Sequence, residues 1–495
     1  MPHSRAPRRL WWWGLAALAA AAALLIFWPR QPRVAPSDDP YSFPEMQAIE
    51  LVVGKKKMAS LEARRDQALE MGILQEDDSS WVKAELIEQD RSWPVRIRLK
   101  GDWTDHLEGE KWSFRVELRG DGAWRRMSEF SLQSPERRGN LDEWLFHKVL
   151  AAENVLCPRY DFVYLRLNGS DLGTYAIEEH FAKELLESQG YREGPILRFD
   201  ETGMWDARVA ALRDSAFPYM QVPFQEAANV KPFKQKRTLS DSTLRQQFPI
   251  ANQLMHQYRH GLADPGELFD LESVARQYAL TDLFQAYHSL IWHNRRYYYN
   301  PVTSKLAPVV FDGFSGEGND RYIEGPIWGY KTDGYHPTGN YHDLTGDFFF
   351  RDEGFLRAYY GHLIRYTQPA FLDSVFASLD GGLRLREDFL RSEVRGYHFD
   401  RAALQANAGR IRACLRDSVS EGRLQVVNET WDDGTEVLRL HNLNPFPVEV
   451  WLESDSARTL QMLPPWTGSA DPCHGYIRRQ PQSKIRCRLP GTALF

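Results

Sequence analysis

Apolar and polar residues alternate over much of the first 200 residues, which is the pattern of half-buried β-strands. The alternation is seen in residues 81–89, 93–100, 111–119, 130–132, 162–167 and 173–178. Asn168 and Gly169 separate the last two runs, and this dipeptide is a strong signal for a β-hairpin. Helical spacing is confined to the end of residues 46–72 and to residues 141–154. We therefore predict a β-rich lobe with one main helix over residues 46–200.

Helical spacing prevails in the next part of the chain. Residues 271–292 and 353–415 have apolar residues three and four positions apart, as amphipathic helices do. Residues 201–250 have no clear period and are predicted to be an irregular or partly helical insertion. Residues 201–415 are therefore predicted to form an insertion and a helical lobe. The alternating runs that follow predict a small β-sandwich-like domain over residues 420–495.

The N-terminus contains one long apolar segment. An uncharged run extends from Leu10 to Trp28 after a basic tip, and about 20 apolar residues are needed to span a bilayer. Residues 1–28 are therefore predicted to be a cytoplasmic tip and a transmembrane signal anchor, followed by a proline-rich linker over residues 29–45. A cleaved signal peptide is the alternative. The anchored form would be a single-pass protein of the cytoplasmic membrane, with its N-terminus inside and its bulk in the periplasm or at the cell surface.

Charge and cysteine content narrow the class of protein. The formal net charge of −6 argues against a general nucleic-acid binder. The four cysteines have no CxxC spacing, so nothing in the sequence favours a zinc site. Cys473 and Cys487 lie close together in the sequence, and a disulfide between them is reasonable in an exported domain. The sequence leaves open whether they pair.

Residues 288–316 carry the first candidate chemistry. Asn294 precedes an aromatic strand-like run, and Asp312 ends an apolar one. An Asn and an Asp at the two ends of such a hairpin can converge on one divalent cation. Upstream, Lys100 and Lys111 flank a loop, and a strand lysine that faces a cleft can bind nucleotide phosphates. The alternatives are a carboxylate that caps a turn and two solvated surface lysines.

Four segments together resemble the CotH family of spore-coat-type atypical kinases. They are RIRLKGDW…KWSFRVEL, LRLNGSDLGTYAIEEH, GPILRFDE and HNRRYYYNP…LAPVVFDGFSG. The resemblance covers roughly residues 80–415, and its specific parts are the second and fourth segments. It implies an α+β, divergent protein-kinase-like two-lobe fold with a β-rich N-lobe and a helical C-lobe. It also implies that the protein binds ATP with Mg²⁺ or Mn²⁺ and phosphorylates a hydroxyl group.

The resemblance assigns roles residue by residue. Lys111, with Lys100 as a second candidate, would contact the nucleotide phosphates. Glu179 would lie close to the nucleotide. Asn294 and Asp312 would be the metal ligands.

The chain departs from the family's pattern at one position. Active members carry an Asp shortly before the His-Asn pair, where it orients the substrate hydroxyl, but residues 287–294 read YHSLIWHN here. His288 and His293 are the nearest ionisable groups, and a histidine can act as a general base near neutral pH. A packed histidine without a catalytic role is the alternative for each.

Three functions are compatible with these features. The first is a membrane-anchored, extracytoplasmic CotH-like kinase that transfers phosphate from ATP to a hydroxyl of a cell-surface protein or glycan. The second is a catalytically inactive CotH-like scaffold or assembly factor in cell-envelope or exopolysaccharide biogenesis. The third is a metal-dependent hydrolase that uses Asp312 with His288 or His293.

Overall fold

Seven strands between residues 48 and 179 form a closed barrel. The strands are β1 (Ala48–Val53), β2 (Val82–Glu88), β3 (Arg91–Leu99), β4 (Phe114–Leu118), β5 (Glu129–Gln133), β6 (Tyr160–Leu167) and β7 (Ser170–Glu179). They pair in the order β1-β2-β3-β4-β5-β7-β6. All neighbours are antiparallel except β6 and β1, whose parallel pairing closes the barrel.

Alternation of side chains separates an apolar barrel interior from a polar outer face. Ile97, Leu99, Phe114 and Leu132 are fully buried in one interior cluster, as the period of two residues in a strand requires. Helix α1 (Lys55–Met71) adds Leu61 and Ala68 to the same cluster.

The turn between β6 and β7 follows the sequence prediction. Asn168 and Gly169 both have positive φ, +49° and +84°. Two successive residues with positive φ are what a type I′ turn requires, and this turn matches the twist of the flanking strands. The predicted hairpin is therefore confirmed.

The remaining elements form a larger, mainly helical part. Its helices are α2 (Leu141–Ala152), α3 (Lys183–Ser188), α4 (Thr202–Arg213), α5 (Gln235–Ser240), α6 (Ser242–His260), α7 (Pro265–Leu268), α8 (Leu271–Phe284), α9 (Glu353–Tyr366), α10 (Pro369–Glu393) and α11 (Arg401–Ser420). A four-stranded sheet lies among them, in the order β11 (Lys305–Pro308), β10 (Arg296–Asn300), β8 (Ile196–Phe199) and β9 (Val230–Pro232). A second apolar core, which includes Phe146, Leu283 and Tyr359, joins these helices and the sheet.

Six further strands make up two small sheets near the C-terminus. One consists of β12 (Leu424–Thr430), β13 (Glu436–Asn442) and β16 (His474–Arg478), and the other of β14 (Val448–Glu453), β15 (Leu460–Leu463) and β17 (Lys484–Arg488). The strands that the sequence predicts in this region are confirmed. Cys473 lies outside the described residues, so its pairing with Cys487 stays a prediction.

The structure is a computed structural model, and it describes part of the chain. The described residues are 48–75, 78–120, 122–213, 227–315, 348–350, 352–420, 424–430, 436–442, 448–453, 460–463, 474–478 and 484–488. All of them belong to one compact unit, Tyr41–Phe495. The transmembrane segment predicted from Leu10 to Trp28 lies outside these ranges. Within them, no helix combines the length and the apolar composition that crossing a bilayer requires.

The predicted kinase-like two-lobe fold is wrong, because the strands of the predicted β-rich N-lobe close into a barrel. The reason lies in β1, which the sequence analysis missed in the stretch before α1. This strand pairs with β2 on one side and with β6 on the other. A parallel partner more than 100 positions away leaves no local turn signal, so the closure cannot be read from the alternation of residues.

Candidate functional site

A row of polar residues crosses five barrel strands on the outer face. The register of the strands aligns Arg98, Arg115, Ser131, Glu178 and Tyr160. Their neighbours along β3 and β5 belong to the apolar interior of the barrel, so this row points the opposite way. Ser131, Glu178 and Tyr160 are nevertheless buried. Other parts of the protein therefore cover the row and turn it into the wall of a polar site.

Lys100 extends this wall at the end of β3. Its Nζ donates a hydrogen bond to Gln133 Oε1 at 2.6 Å and lies 3.4 Å from Glu178 Oε2. Burial lowers the pKa of Lys100 to about 8, although the Glu178 carboxylate opposes the change. Lys100 is therefore a cation below about pH 8 and loses that charge as the pH rises further.

Asp312 meets the wall from the opposite side. Its chain segment continues from β11, and its carboxylate forms an ion pair with Arg138 and lies 3.5 Å from His288 Nε2. Burial alone would raise the pKa of Asp312, but Arg138 and His288 outweigh it and hold the pKa far below its usual range. Asp312 is thus a buried anion. We call Lys100, Arg138, Glu178, His288 and Asp312 the Asp312 cluster.

Glu143 of α2 holds the backbone next to Asp312. Its carboxylate accepts hydrogen bonds from the amides of Gly313 at 2.9 Å and Phe314 at 3.2 Å, and Glu143 is fully buried. Asp312 itself has a φ of +58°, which is uncommon for a residue with a side chain. The two amide contacts stabilise this conformation and fix where the Asp312 carboxylate points.

His147 supports Glu143 one helical turn later. Its Nε2 lies 2.8 Å from Glu143 Oε1, and its Nδ1 donates to the Pro158 carbonyl at 2.7 Å. Burial lowers the pKa of His147, but hydrogen bonds with Cys157 and Glu143 outweigh it and raise the pKa well above its ordinary value. A charged His147 therefore balances Glu143. The sequence analysis missed both residues, although a Glu and a His four apart on an otherwise apolar helix face are a readable signal.

Two of the residues predicted to bind the nucleotide lie elsewhere. Lys111 donates to the Thr174 carbonyl at 3.1 Å and pairs with Glu393 of α10. Glu179 forms a buried bidentate ion pair with Arg159, at 2.6 and 2.9 Å. Because successive strand residues face opposite sides, Glu178 rather than Glu179 lies in the site.

Asn294 and His293 lie just before β10, at the start of the hairpin. Asn294 Nδ2 donates to the His288 carbonyl at 3.0 Å, which anchors the segment that carries His288. Burial, followed by the nearby His288, lowers the pKa of His293 to about 3, so His293 is neutral. The metal role of Asn294 and the catalytic role of His293 stay predictions.

A divalent cation at this site would have few protein ligands. No group of three or more His, Cys, Asp or Glu side chains within the described ranges is arranged to hold a metal. Among the same residues, Glu178 Oε1 is buried and accepts no hydrogen bond, whereas Asp312 Oδ1 faces Arg138 Nε in an ion pair. Magnesium usually takes one or two carboxylates and completes its shell with substrate phosphates and water. Asp312 therefore fits a magnesium ion that arrives with a phosphate ligand.

Charges of both signs surround the Asp312 cluster. The interacting cations are Arg98, Lys100, Arg115, Arg138, Arg198 and Lys234, and the interacting carboxylates are Asp102, Glu117, Glu129, Glu143, Glu178 and Asp312. Burial, followed by these cations, also lowers the pKa of His106 and His180 well below the usual range. The cations of this covered site can bind the anionic part of a ligand.

A cavity of about 350 Å³ lies next to the cluster. Phe181 and Phe233 line it, with ring centroids 4.5 Å apart, and Lys234 lies at its edge. Phe181 also packs against Phe311 at 4.9 Å, and Phe311 directly precedes Asp312. Phe181 therefore lines the cavity and also contacts the residue before Asp312, and the cavity volume is within the usual range for small-molecule sites.

Comparison with known proteins adds no relative. No family model matches the chain, and no curated protein matches it significantly. The resemblance to the CotH family therefore rests on the quoted segments alone and stays a prediction.

Proposed function

We propose that this protein is a phosphotransferase that binds ATP with Mg²⁺ or Mn²⁺ and transfers phosphate to a hydroxyl group. The observation that carries the proposal is the convergence of Lys100 and Arg138 on the buried carboxylate of Asp312. Cations that face one ionised carboxylate suit a ligand made of phosphates and a metal ion, since each component meets its opposite charge.

Each residue of the Asp312 cluster has a role in this proposal. Lys100 and Arg138 bind the phosphates, and Asp312 holds the metal, which when bound neutralises charge on the phosphates. His288 is the nearest group that can take up the proton of the acceptor hydroxyl, because its side chain is 20% exposed and lies 3.5 Å from Asp312. Glu178 keeps Lys100 in place.

The neighbouring cavity is the proposed site of the nucleoside. The Phe181 and Phe233 rings offer faces on which a base can stack. Phe181 also contacts the residue before Asp312, and by this proposal the phosphates of a nucleotide whose base lies in the cavity reach the cluster. By the same proposal, residues 10–28 anchor the protein, and the acceptor is a cell-surface protein or glycan.

A non-catalytic scaffold is the second candidate, and one observation favours it. Arg138 already pairs with Asp312, so the carboxylate has a counter-ion without any metal. A protein of this kind would bind an anionic ligand in the site and leave it unchanged.

The melting temperature of the full-length protein tests the proposal. We expect ATP with Mg²⁺ to raise it and either component alone to have a much smaller effect, because the metal links the phosphates to Asp312. Ligand at 100 times its Kd stabilises a protein by about 2.7 kcal/mol, a clearly measurable shift.

Formation of ADP separates the two candidates. A stabilised protein that also produces ADP when a hydroxyl acceptor is present is the phosphotransferase, and one that binds ATP without turnover is the scaffold. No stabilisation by any combination of nucleotide and metal would contradict both the ATP site and the phosphotransferase.

A further inference from the structure

An exposed tryptophan, Trp103, packs against the partly buried Trp205 at one end of the charged site. Trp103 is 48% exposed and is the one aromatic residue among the exposed large apolar side chains of the described ranges. Its ring meets Trp205 of α4 edge to face, with centroids 5.4 Å apart. Arg208 lies over both indoles, at 4.9 and 4.6 Å. We call Asp102, Trp103, Glu201, Trp205 and Arg208 the Trp103 patch.

The backbone holds Trp103 in this exposed position. The preceding Gly101 has a φ of +110°, and a Cβ there would lie 2.4 Å from the Cβ of His106. The Asp102 carbonyl accepts a hydrogen bond from the Leu74 amide at 3.0 Å, and Ile73 forms a β-bridge with Trp103. The loop conformation is therefore specified by the fold, and the indole is presented in advance of any ligand, which lowers the entropy cost of binding.

Two carboxylates accompany the indoles. Trp205 Nε1 donates to Glu201 Oε2 at 3.3 Å, which orients Glu201 beside the ring. The charges of Asp102 and Glu201 act on each other, and Lys100 and Arg198 act on Asp102. A flat apolar face with hydrogen-bond acceptors at its edge matches a ligand that has C–H faces and a rim of hydroxyl groups.

The patch belongs to the same charged site as Asp312. Asp102 follows Lys100 by two residues, Arg208 acts electrostatically on His293, and Arg296 acts on both Glu201 and Asp312. The Trp103 patch therefore lies within electrostatic range of the Asp312 cluster.

We propose that the Trp103 patch binds a neutral saccharide, one ring of which stacks on Trp103 while its hydroxyls bond to Asp102 and Glu201. The role of this saccharide as the acceptor of phosphate rests on the proposed function. Its binding to the Trp103 patch does not. Asp102 and Glu201 offer acceptors that suit hydroxyl donors, and the pair offers no apolar pocket for a peptide side chain.

Tryptophan fluorescence of the full-length protein tests the proposal. The probes are a β-1,4-linked glucose tetramer and a β-1,4-linked N-acetylglucosamine tetramer, with a uronic acid tetramer and a proline-rich peptide for comparison. We expect at least one neutral tetramer to change the emission saturably, and Trp103→Ala to weaken its binding about 10-fold or more. Trp112→Ala is the matched control, since Trp112 also carries an arginine, Arg65 at 4.8 Å, outside the patch.

The outcomes are separable from those for ATP. Saccharide binding lost in Trp103→Ala and retained in Trp112→Ala supports the proposal even if ATP does not bind. No response to either neutral tetramer, equal weakening by both variants, or a preference for the uronic acid or the peptide overturns it.

Discussion

Replacing Glu143 with alanine is expected to lower the free energy of unfolding by about 3–5 kcal/mol, the usual cost of removing one partner from a buried ion pair. The change leaves the charged His147 without its carboxylate and the amides of Gly313 and Phe314 without their acceptor. Urea unfolding measures the difference. The midpoint should fall with little change in slope, because the loss is in stability and not in the extent of the fold.

Glu136→Ala is the matched control for this variant. Glu136 lies in the 3-10 helix Pro135–Arg138, just before α2, and is exposed. A substitution at such a surface position usually changes stability by less than about 0.5 kcal/mol. If Glu143→Ala were no more destabilised than Glu136→Ala, the claim that Glu143 fixes the backbone beside Asp312 would be wrong.

Asp312→Asn is expected to reduce phosphate transfer at least about 100-fold, since even residues that only support a metal ligand contribute 10- to 100-fold. Asparagine tolerates the positive φ of this position, so the backbone is kept while the charge that would hold the metal is lost. ADP formation measured at saturating ATP and metal gives the effect on kcat.

A second variant shows whether the loss is local. Asp312→Asn leaves Arg138 buried without its partner, which destabilises the protein by itself. Asp312→Asn combined with Arg138→Gln removes both charges, and we expect it to regain melting temperature but not activity. Recovered activity in the double variant would contradict a role for the Asp312 carboxylate in the reaction.

Local sequence patterns predicted most of the strands. They could not predict which strands pair when the partners are far apart in the chain. The alternation at residues 93–100 and the Asn168-Gly169 turn correspond to β3 and to the β6–β7 hairpin. The strand β1 carries a similar alternation, but its role depends on a parallel partner far along the chain. Among the barrel strands, the one that was not predicted, β1, is therefore the strand that closes the barrel.

The sequence indicates which residue types belong to the candidate site, but it does not indicate the strand register that decides which of them face it. Asp312 was found because a turn follows an apolar strand, and it lies in the site. The resemblance favoured Lys111 over Lys100, yet Lys100 is the lysine that contacts Gln133 and Glu178, while Lys111 pairs with Glu393. The choice between Glu178 and Glu179 likewise depends on which face of β7 points outward, and that follows from strand pairing across the barrel.

The contrast between the two lysines provides the most direct test of the Asp312 cluster as a phosphate site. Isothermal titration of ATP with Mg²⁺ into the wild-type protein, Lys100→Gln and Lys111→Gln at pH 7 compares two identical substitutions. We expect Lys100→Gln to weaken binding about 10-fold or more, as the loss of a buried charge-assisted contact does, and Lys111→Gln to bind like the wild type. Loss of binding in Lys111→Gln alone, or equal affinity in all three proteins, would contradict the assignment of the site.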